Sequence, residues 1–368
     1  MVGRSGEWFY VSGMPASPTL LLAPMQRVTD YPFMKVMAHY GGPDLYVTEY
    51  FRVHVHSTLE PYILKSIDEN PTGRPIYAQM IGQDIPSLVR SAKELMKHNV
   101  VGVDLNLGCP APIVYRKDAG GGLLRKPEKI REILAALREV VPPPFEFTVK
   151  TRVGFETEGE FDRLLEIFSD YEIDALAVHG RTVRERYQTP VHHAEVRRAA
   201  EQLTCPVYAN GNVVDVATGL SYLQKTGAQG LMIGRGAIRN PWLFSQLRAA
   251  FRGDDPVPVT RAMVLDYITR LWEETAREFH APFDEVKHVH KMKRYLNYIV
   301  QGVEPEFEHT IRRVQSRQDF FSVCETYLQA PDLVPPLPPE NSKLFCGFSD
   351  LLEGESQEKI NVSITNTK

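Results

Sequence analysis

Cys109 closes the stretch Asn106-Leu-Gly-Cys109-Pro110, just after the apolar run Val100, Val101, Gly102, Val103. That run reads as a buried β-strand, and a Gly-Cys-Pro turn at its end sets one thiol at the rim of a sheet. With a reference pKa of about 8.5, a thiol is mostly protonated at pH 7 and can donate a proton. The plainer alternative is a free cysteine acting as a small buried hydrophobe.

Lys150 ends the apolar segment Phe147–Lys150. A lysine inside a sheet or barrel is costly unless an anion meets it. The reduced flavin ring is such an anion, and a cation beside it favours the reduced form. Gln79 could hydrogen-bond the edge of that ring, and Pro24-Met25-Gln26 could wall it. Equally, Lys150 could be a surface lysine at a strand end. The turns Asn210-Gly211-Asn212 and Gly234-Arg235-Gly236 combine backbone N–H groups that can approach an anion with an arginine. Together they suit a phosphate, although glycine is also ordinary at such junctions.

Two basic segments suit a nucleic acid. His179-Gly180-Arg181-Thr182 runs into Arg184, Glu185, Arg186 and Tyr187, which could contact phosphate and stack on a base. A solvated charged loop would look the same. Further on, Lys287, His290, Lys291, Arg294 and Tyr298 share a helical face opposite Val289, Met292, Leu296 and Val300. The apolar face predicts docking, and the basic one is open to a polyanion or simply to water.

A recurring unit must position these groups. Between Thr19 and Ile233 a short apolar strand, a polar or glycine-bearing turn and a helical pattern repeat. The predicted strands are Leu20–Ala23, Leu45–Val47, Ile76–Gln79, Gly102–Leu105, Phe147–Lys150, Ala175–Val178, Val207–Ala209 and Gly230–Ile233. That count and spacing predict an α/β fold, a (β/α)8 TIM barrel whose chemistry sits at the C-terminal ends of the strands. A doubly wound sheet would have fewer strands and a GxGxxG turn after the first, which is absent here. The predicted organisation is an N-terminal extension (1–18), the barrel (19–252), a linker, a C-terminal helical domain (260–330) and a poorly ordered tail (331–368).

Composition narrows the class. The 368 residues are 43% hydrophobic and 24% charged, as in a soluble globular protein. The four cysteines lack CxxC spacing, so neither a structural zinc site nor a disulfide framework is expected. No apolar stretch approaches a membrane span, and Met1–Ser17 has no signal-peptide core, so a cytoplasmic protein is expected. Of the net charge of −4, −3 lies after Ala330, leaving a nearly neutral body that still permits a local basic face.

In this order the motifs resemble the tRNA-dihydrouridine synthases. The matching elements are Ala23-Pro24-Met25 through Thr29-Asp30-Tyr-Pro-Phe33, Gln79, Asn106-Leu-Gly-Cys-Pro110, Lys150-Thr-Arg152, His179-Gly-Arg-Thr182, Ala209-Asn-Gly-Asn212 and Met232-Ile-Gly-Arg-Gly236 through Asn240-Pro-Trp242. The resemblance implies an FMN-bearing barrel with a helical domain that uses NADPH to reduce tRNA uridines. It gives Cys109 the role of the acid that protonates uracil C5 while hydride arrives at C6. It makes Pro24, Met25, Gln26, Gln79, Lys150, His179, Asn210, Gly211, Asn212, Gly234 and Arg235 FMN contacts. Asn106, Arg152, Arg181, Arg184, Lys287, Lys291 and Arg294 fall to the substrate. Asn212 departs from the family pattern, where the position is usually acidic. No metal is implied, and a monomer is expected. The alternatives are a flavin barrel acting on a small pyrimidine and a non-catalytic tRNA-binding factor.

Overall fold

A computed structural model describes residues 17–187, 189–279 and 283–345. Most of the predicted N-terminal extension, and the tail from Cys346 onward, lie outside the described residues. The strands are β1 (Thr19–Leu22), β2 (Leu45–Val47), β3 (Phe51–Arg52), β4 (Ile76–Ile81), β5 (Gly102–Asn106), β6 (Glu146–Arg152), β7 (Ala175–His179), β8 (Val207–Asn210) and β9 (Gly230–Ile233). All pairings among them are parallel. β1 pairs with both β2 and β9, and a β2–β4 pairing closes the ring. This is the predicted barrel. β3, which the sequence did not flag, is a two-residue strand added beside the end of β4.

Helices follow the strands where the local sequence allows them to start. Asp84 caps the helix Ile85–Leu95, its carboxylate accepting the Ser87 N–H at 3.1 Å, with Pro86 in the first turn. Asp215 and Thr218 form a reciprocal cap on the helix Val216–Thr226, which ends at Gly227 with φ +67°. The outward residues of the strands and the inner faces of these helices share one large apolar core.

The barrel interior is different. Alternation along the strands sends a small apolar set (Leu21, Ala23, Val47, Tyr77, Ala177, Met232) inward. Above it the inward positions are polar: Gln79, Asp104, Asn106, Thr148, Lys150, Arg152, His179 and Asn210. A polar upper interior carries nothing for stability that apolar side chains would not do better, so it marks the functional end.

The helical region begins at Arg261, capped by Thr260, and comprises Arg261–Arg277, Glu285–Ile299, Pro305–Ile311 and Arg317–Leu328. It docks on the helix Tyr31–His39 of the barrel. Tyr295 stacks on Phe33 with ring centroids 5.6 Å apart, a pair worth about 0.5–1.5 kcal/mol beyond its buried area. Lys35 pairs with Glu274 at 2.9 Å and Lys65 with Glu278 at 2.8 Å.

Residues 331–345 contradict the expectation of a poorly ordered tail. The Val334 N–H donates to the Val259 carbonyl at 2.8 Å. Arg239, nearly fully buried, donates to the carbonyls of Pro335 and Pro336 at 2.6 and 2.8 Å, and to that of Gln301 at 2.8 Å. Prolines cannot donate from their own nitrogens but offer free carbonyls, and one buried guanidinium collects two of them. Leu344 and Phe345 are then buried.

Candidate active site

A cavity of about 730 Å³ opens at the C-terminal end of the barrel, a size suited to a cofactor or drug-sized ligand. Most of its lining comes from strand exits. Pro24, Met25 and Gln26 follow β1, and Asn106 and Cys109 end β5. Lys150 and Arg152 belong to β6 and His179 to β7. Asn210, Gly211 and Asn212 close β8, and Gly234 and Arg235 follow β9. The fold thus brings together most of the residues singled out by sequence.

Cys109 is held through its backbone. The Asn106 Oδ1 accepts the N–H of Gly108 and of Cys109, each at 3.0 Å. The Asn106 Nδ2 donates to Gln79 Oε1 at 2.8 Å, and Gln79 Nε2 donates to Asp104 Oδ2 at 2.7 Å. Thr148 donates to the other Asp104 oxygen at 2.7 Å. Gln79 is therefore fully buried beneath the site and does not line the cavity, contrary to the expectation of a ring-edge contact. Its amide oxygen accepts from Asn106 and its amide nitrogen donates to Asp104. One Nδ2 hydrogen of Asn106 is left for a ligand. Burial pushes the Cys109 thiol above its ordinary value, opposed by the Ala111 N–H and by Arg152, Lys150 and Tyr50. At neutral pH it is a thiol, able to donate.

Arg152 acts as a tie. Its Nε donates to the Gly108 carbonyl at 2.9 Å, and its Nη1 to the carbonyls of Thr182 and Arg186, both at 2.8 Å. It locks the cysteine turn to the loop after β7. In that loop the Tyr187 ring lies under two guanidinium groups, Arg235 at 4.4 Å and Arg152 at 5.2 Å, with His179 edge-on at 5.8 Å. Each cation–aromatic contact is worth about 0.5–2 kcal/mol.

Lys150 donates to Asn210 Oδ1 at 3.1 Å. Burial lowers its pKa to about 8, helped by the charge on Arg152 and opposed by that on Asp104. It still carries its charge at pH 7. Burial, with Arg152, Arg181, Lys150 and Arg235 around it, holds His179 well below its ordinary value, so its imidazole is neutral. The His179 Nδ1 is buried on the cavity wall with no partner among the described residues. A buried polar atom left unpaired costs about 1–3 kcal/mol, which a ligand supplying its partner would recover.

Other expected contacts lie elsewhere. Arg181 is fully buried and off the cavity, with its Nε donating to the Thr189 carbonyl at 2.5 Å. Arg184 lies on the exposed rim and pairs with Glu156 at 3.0 Å. Lys287, Lys291 and Arg294 are on the helix Glu285–Ile299, away from the cavity. Lys287 and Arg294 are exposed, but Lys291 is not part of their exposed face, because its Nζ reaches across to Asp30 at 2.7 Å. Sequence reasoning missed Tyr50, Lys343 and Leu344, which also line the cavity. Tyr50 lies just past the predicted strand Leu45–Val47, a usable signal. Lys343 and Leu344 lie in a proline-rich tail that gave none.

Among the described residues no helix is long and apolar enough to cross a membrane, and no cluster of three or more His, Cys, Asp or Glu side chains is placed to hold a metal ion.

Comparison with known proteins adds four findings. The family model described as Dihydrouridine synthase (Dus) matches residues 21–331. A tRNA-dihydrouridine(16) synthase of Neisseria meningitidis is 31% identical over 260 residues, covering 69% of this chain and 78% of that protein. One of Cupriavidus necator is 30% identical over 318 residues, covering 83% and 96%. Among solved structures, a histamine dehydrogenase from Rhizobium sp. 4-9 superposes with a TM-score of 0.50 at 14% identity, over 68% of this chain and 49% of that one, a likeness of fold alone.

Proposed function

The chain belongs to the dihydrouridine synthase family, and from that premise we propose that it reduces uridine 16 of tRNA to 5,6-dihydrouridine, with FMN in the barrel-mouth cavity and NADPH as reductant. Position 16 is the one that the Neisseria and Cupriavidus relatives are named for. One observation carries the chemistry: Cys109, a protonated thiol fixed by Asn106, lines the same cavity as the cations Lys150 and Arg235. A proton donor and an anion-binding wall therefore share one space.

The residues present fit FMN. The unpartnered His179 Nδ1, the charged Lys150 and the two turns give donors for an anionic ring and a phosphate. Pro24, Met25 and Gln26 give the apolar and backbone face. Asn210, Gly211, Asn212, Gly234 and Arg235 would hold the phosphate. When bound, FMN supplies the hydride that uracil C6 must receive.

The chain's own groups do the rest. Cys109 gives its proton to uracil C5, so one hydride and one proton saturate the C5=C6 bond. Asn106 positions the base with its remaining Nδ2 hydrogen. Arg152, and Gln79 and Asp104 acting through Asn106, position the thiol without touching the substrate themselves. Uracil must leave the tRNA stack to reach the cavity, at a cost of a few kcal/mol. Phosphate contacts from Lys287 and Arg294 on the helical region, and from Arg184 on the rim, offset that cost. The enzyme works as a cytoplasmic monomer.

The test is to incubate the purified protein, FMN and NADPH with unmodified tRNA transcripts and map dihydrouridine. Product at position 16 is expected. Product only at another uridine overturns the positional assignment, and no product on any transcript overturns the whole reading.

A further inference from the structure

The segment Ser342–Phe345 lies beyond the family match, which ends at residue 331, yet it reaches the cavity. The Lys343 carbonyl accepts a hydrogen bond from Arg235 Nη1 at 3.0 Å. Lys343 is anchored on its other side to the helical region. Its N–H donates to Gln301 Oε1 at 3.3 Å and its Nζ to Asn297 Oδ1 at 3.0 Å. Leu344 and Phe345 are each 1% exposed and form an apolar cluster with Val214, against which Tyr298 packs. Val214 lies just past the Asn210-Gly211-Asn212 turn, and Phe345 shares a small pocket wall with Gly211 and Asn212. The segment thus bonds to one of the turns assigned to the phosphate and lines a pocket beside the other.

We propose that Ser342–Phe345 is a retaining wall for the cofactor, pinned by Leu344 and Phe345, that aims Arg235 at the phosphate and closes that end of the cavity. The proposal rests on the reading that an FMN phosphate sits at these two turns. A guanidinium is a long, flexible donor, and a fixed carbonyl on one of its nitrogens narrows the directions in which the others point. A wall that must come away before the phosphate leaves acts on the release rate more than on the encounter.

The experiment follows FMN release from full-length protein after dilution, read by the gain in flavin fluorescence. Leu344→Ala and Phe345→Ala should each speed release, and the double variant by roughly tenfold. The melting temperature of the flavin-free protein should stay close to that of the unchanged chain, because the wall opens locally. Phe345→Leu, which keeps an apolar anchor, should restore slow release and covers the case in which Leu344→Ala does not fold. Unchanged release from folded Phe345→Ala overturns the proposal. Weakened tRNA binding with unchanged flavin release also overturns it and assigns the segment to the helical region. Arg235→Ala separates the two readings: if it too releases flavin at the normal rate, the phosphate placement itself is wrong.

Discussion

Asn106 holds Cys109 in place: one side-chain oxygen accepts the Cys109 N–H and the Gly108 N–H at 3.0 Å each. The rest of the Asn106 amide is fixed from below by Gln79, and Gln79 by Asp104. Cys109 therefore stands on a three-residue hydrogen-bonded column inside the barrel. Such a column fixes one rotamer at each level and is worth more intact than in parts.

Gln79→Leu breaks the column without touching the cavity. It leaves Asp104 and Asn106 each short of a partner, a loss of about 1–3 kcal/mol for a buried polar group. Urea unfolding should show that loss. Uridine reduction should fall by a larger factor than FMN affinity does. An equal fall in both would show that Gln79 meets the cofactor after all.

The helix Glu285–Ile299 should separate into two functions. Lys287→Ala with Arg294→Ala should weaken tRNA binding and reduce its salt slope by about 2, one per phosphate contact. The Lys287–Asp284 ion pair is exposed and holds little back. Lys291→Ala should instead cost about 1–3 kcal/mol of stability by leaving Asp30 without its ion-pair partner in a half-buried seam. Its salt slope should stay near that of the unchanged protein. A Lys291 variant with normal stability and a shallower slope would return this lysine to the tRNA face.

These two cases show what the sequence could disclose. Strand positions were legible because apolar runs end at Gly, Pro and polar residues, so the eight barrel strands fall within a residue or two of expectation. Cys109, Lys150 and the two glycine turns were legible because their types at strand exits are chemically unusual. Gln79 and Arg181 were misplaced because a polar side chain near a strand end looks the same whether it faces a ligand or a buried partner. Lys291 shares the helical stripe of Lys287 and Arg294, and its partner Asp30 lies 261 residues away, where no periodicity can find it. The 331–345 segment reads as tail by its prolines. Its order comes from Arg239, which the local pattern does not connect to it.

Glu49 predicts a pH effect. It is 2% exposed, and burial raises its carboxyl from 4.5 to about 7, with Asp30 adding to the rise and the Arg27 and Val28 N–H groups opposing it. The folded state holds this proton more tightly than the unfolded chain. Its stabilisation is therefore full below pH 4.5 and is lost as pH rises through about 7. Glu49→Gln stays neutral, so its stability relative to the unchanged protein should rise across that window, by on the order of 2 kcal/mol. Melting curves of both proteins from mildly acidic to mildly alkaline buffer check this, and parallel profiles would contradict it.

The central claim is that Cys109 is the acid for uracil C5, and it divides the reaction into two halves. Transfer of hydride from NADPH to the bound flavin needs no thiol, so Cys109→Ala should complete that half at close to the normal rate. Saturation of uracil needs a proton at C5, and a positioned general acid typically contributes 10²–10⁴-fold. The direct measurement is stopped-flow: reduce the flavin with NADPH, mix with unmodified tRNA, and follow flavin reoxidation and dihydrouridine formation together. The account predicts that Cys109→Ala slows both by about 10²–10⁴-fold, with tRNA still bound, while Cys205→Ala and Cys324→Ala behave normally. If Cys109→Ala reoxidises at the normal rate and yields dihydrouridine, Cys109 is not the acid.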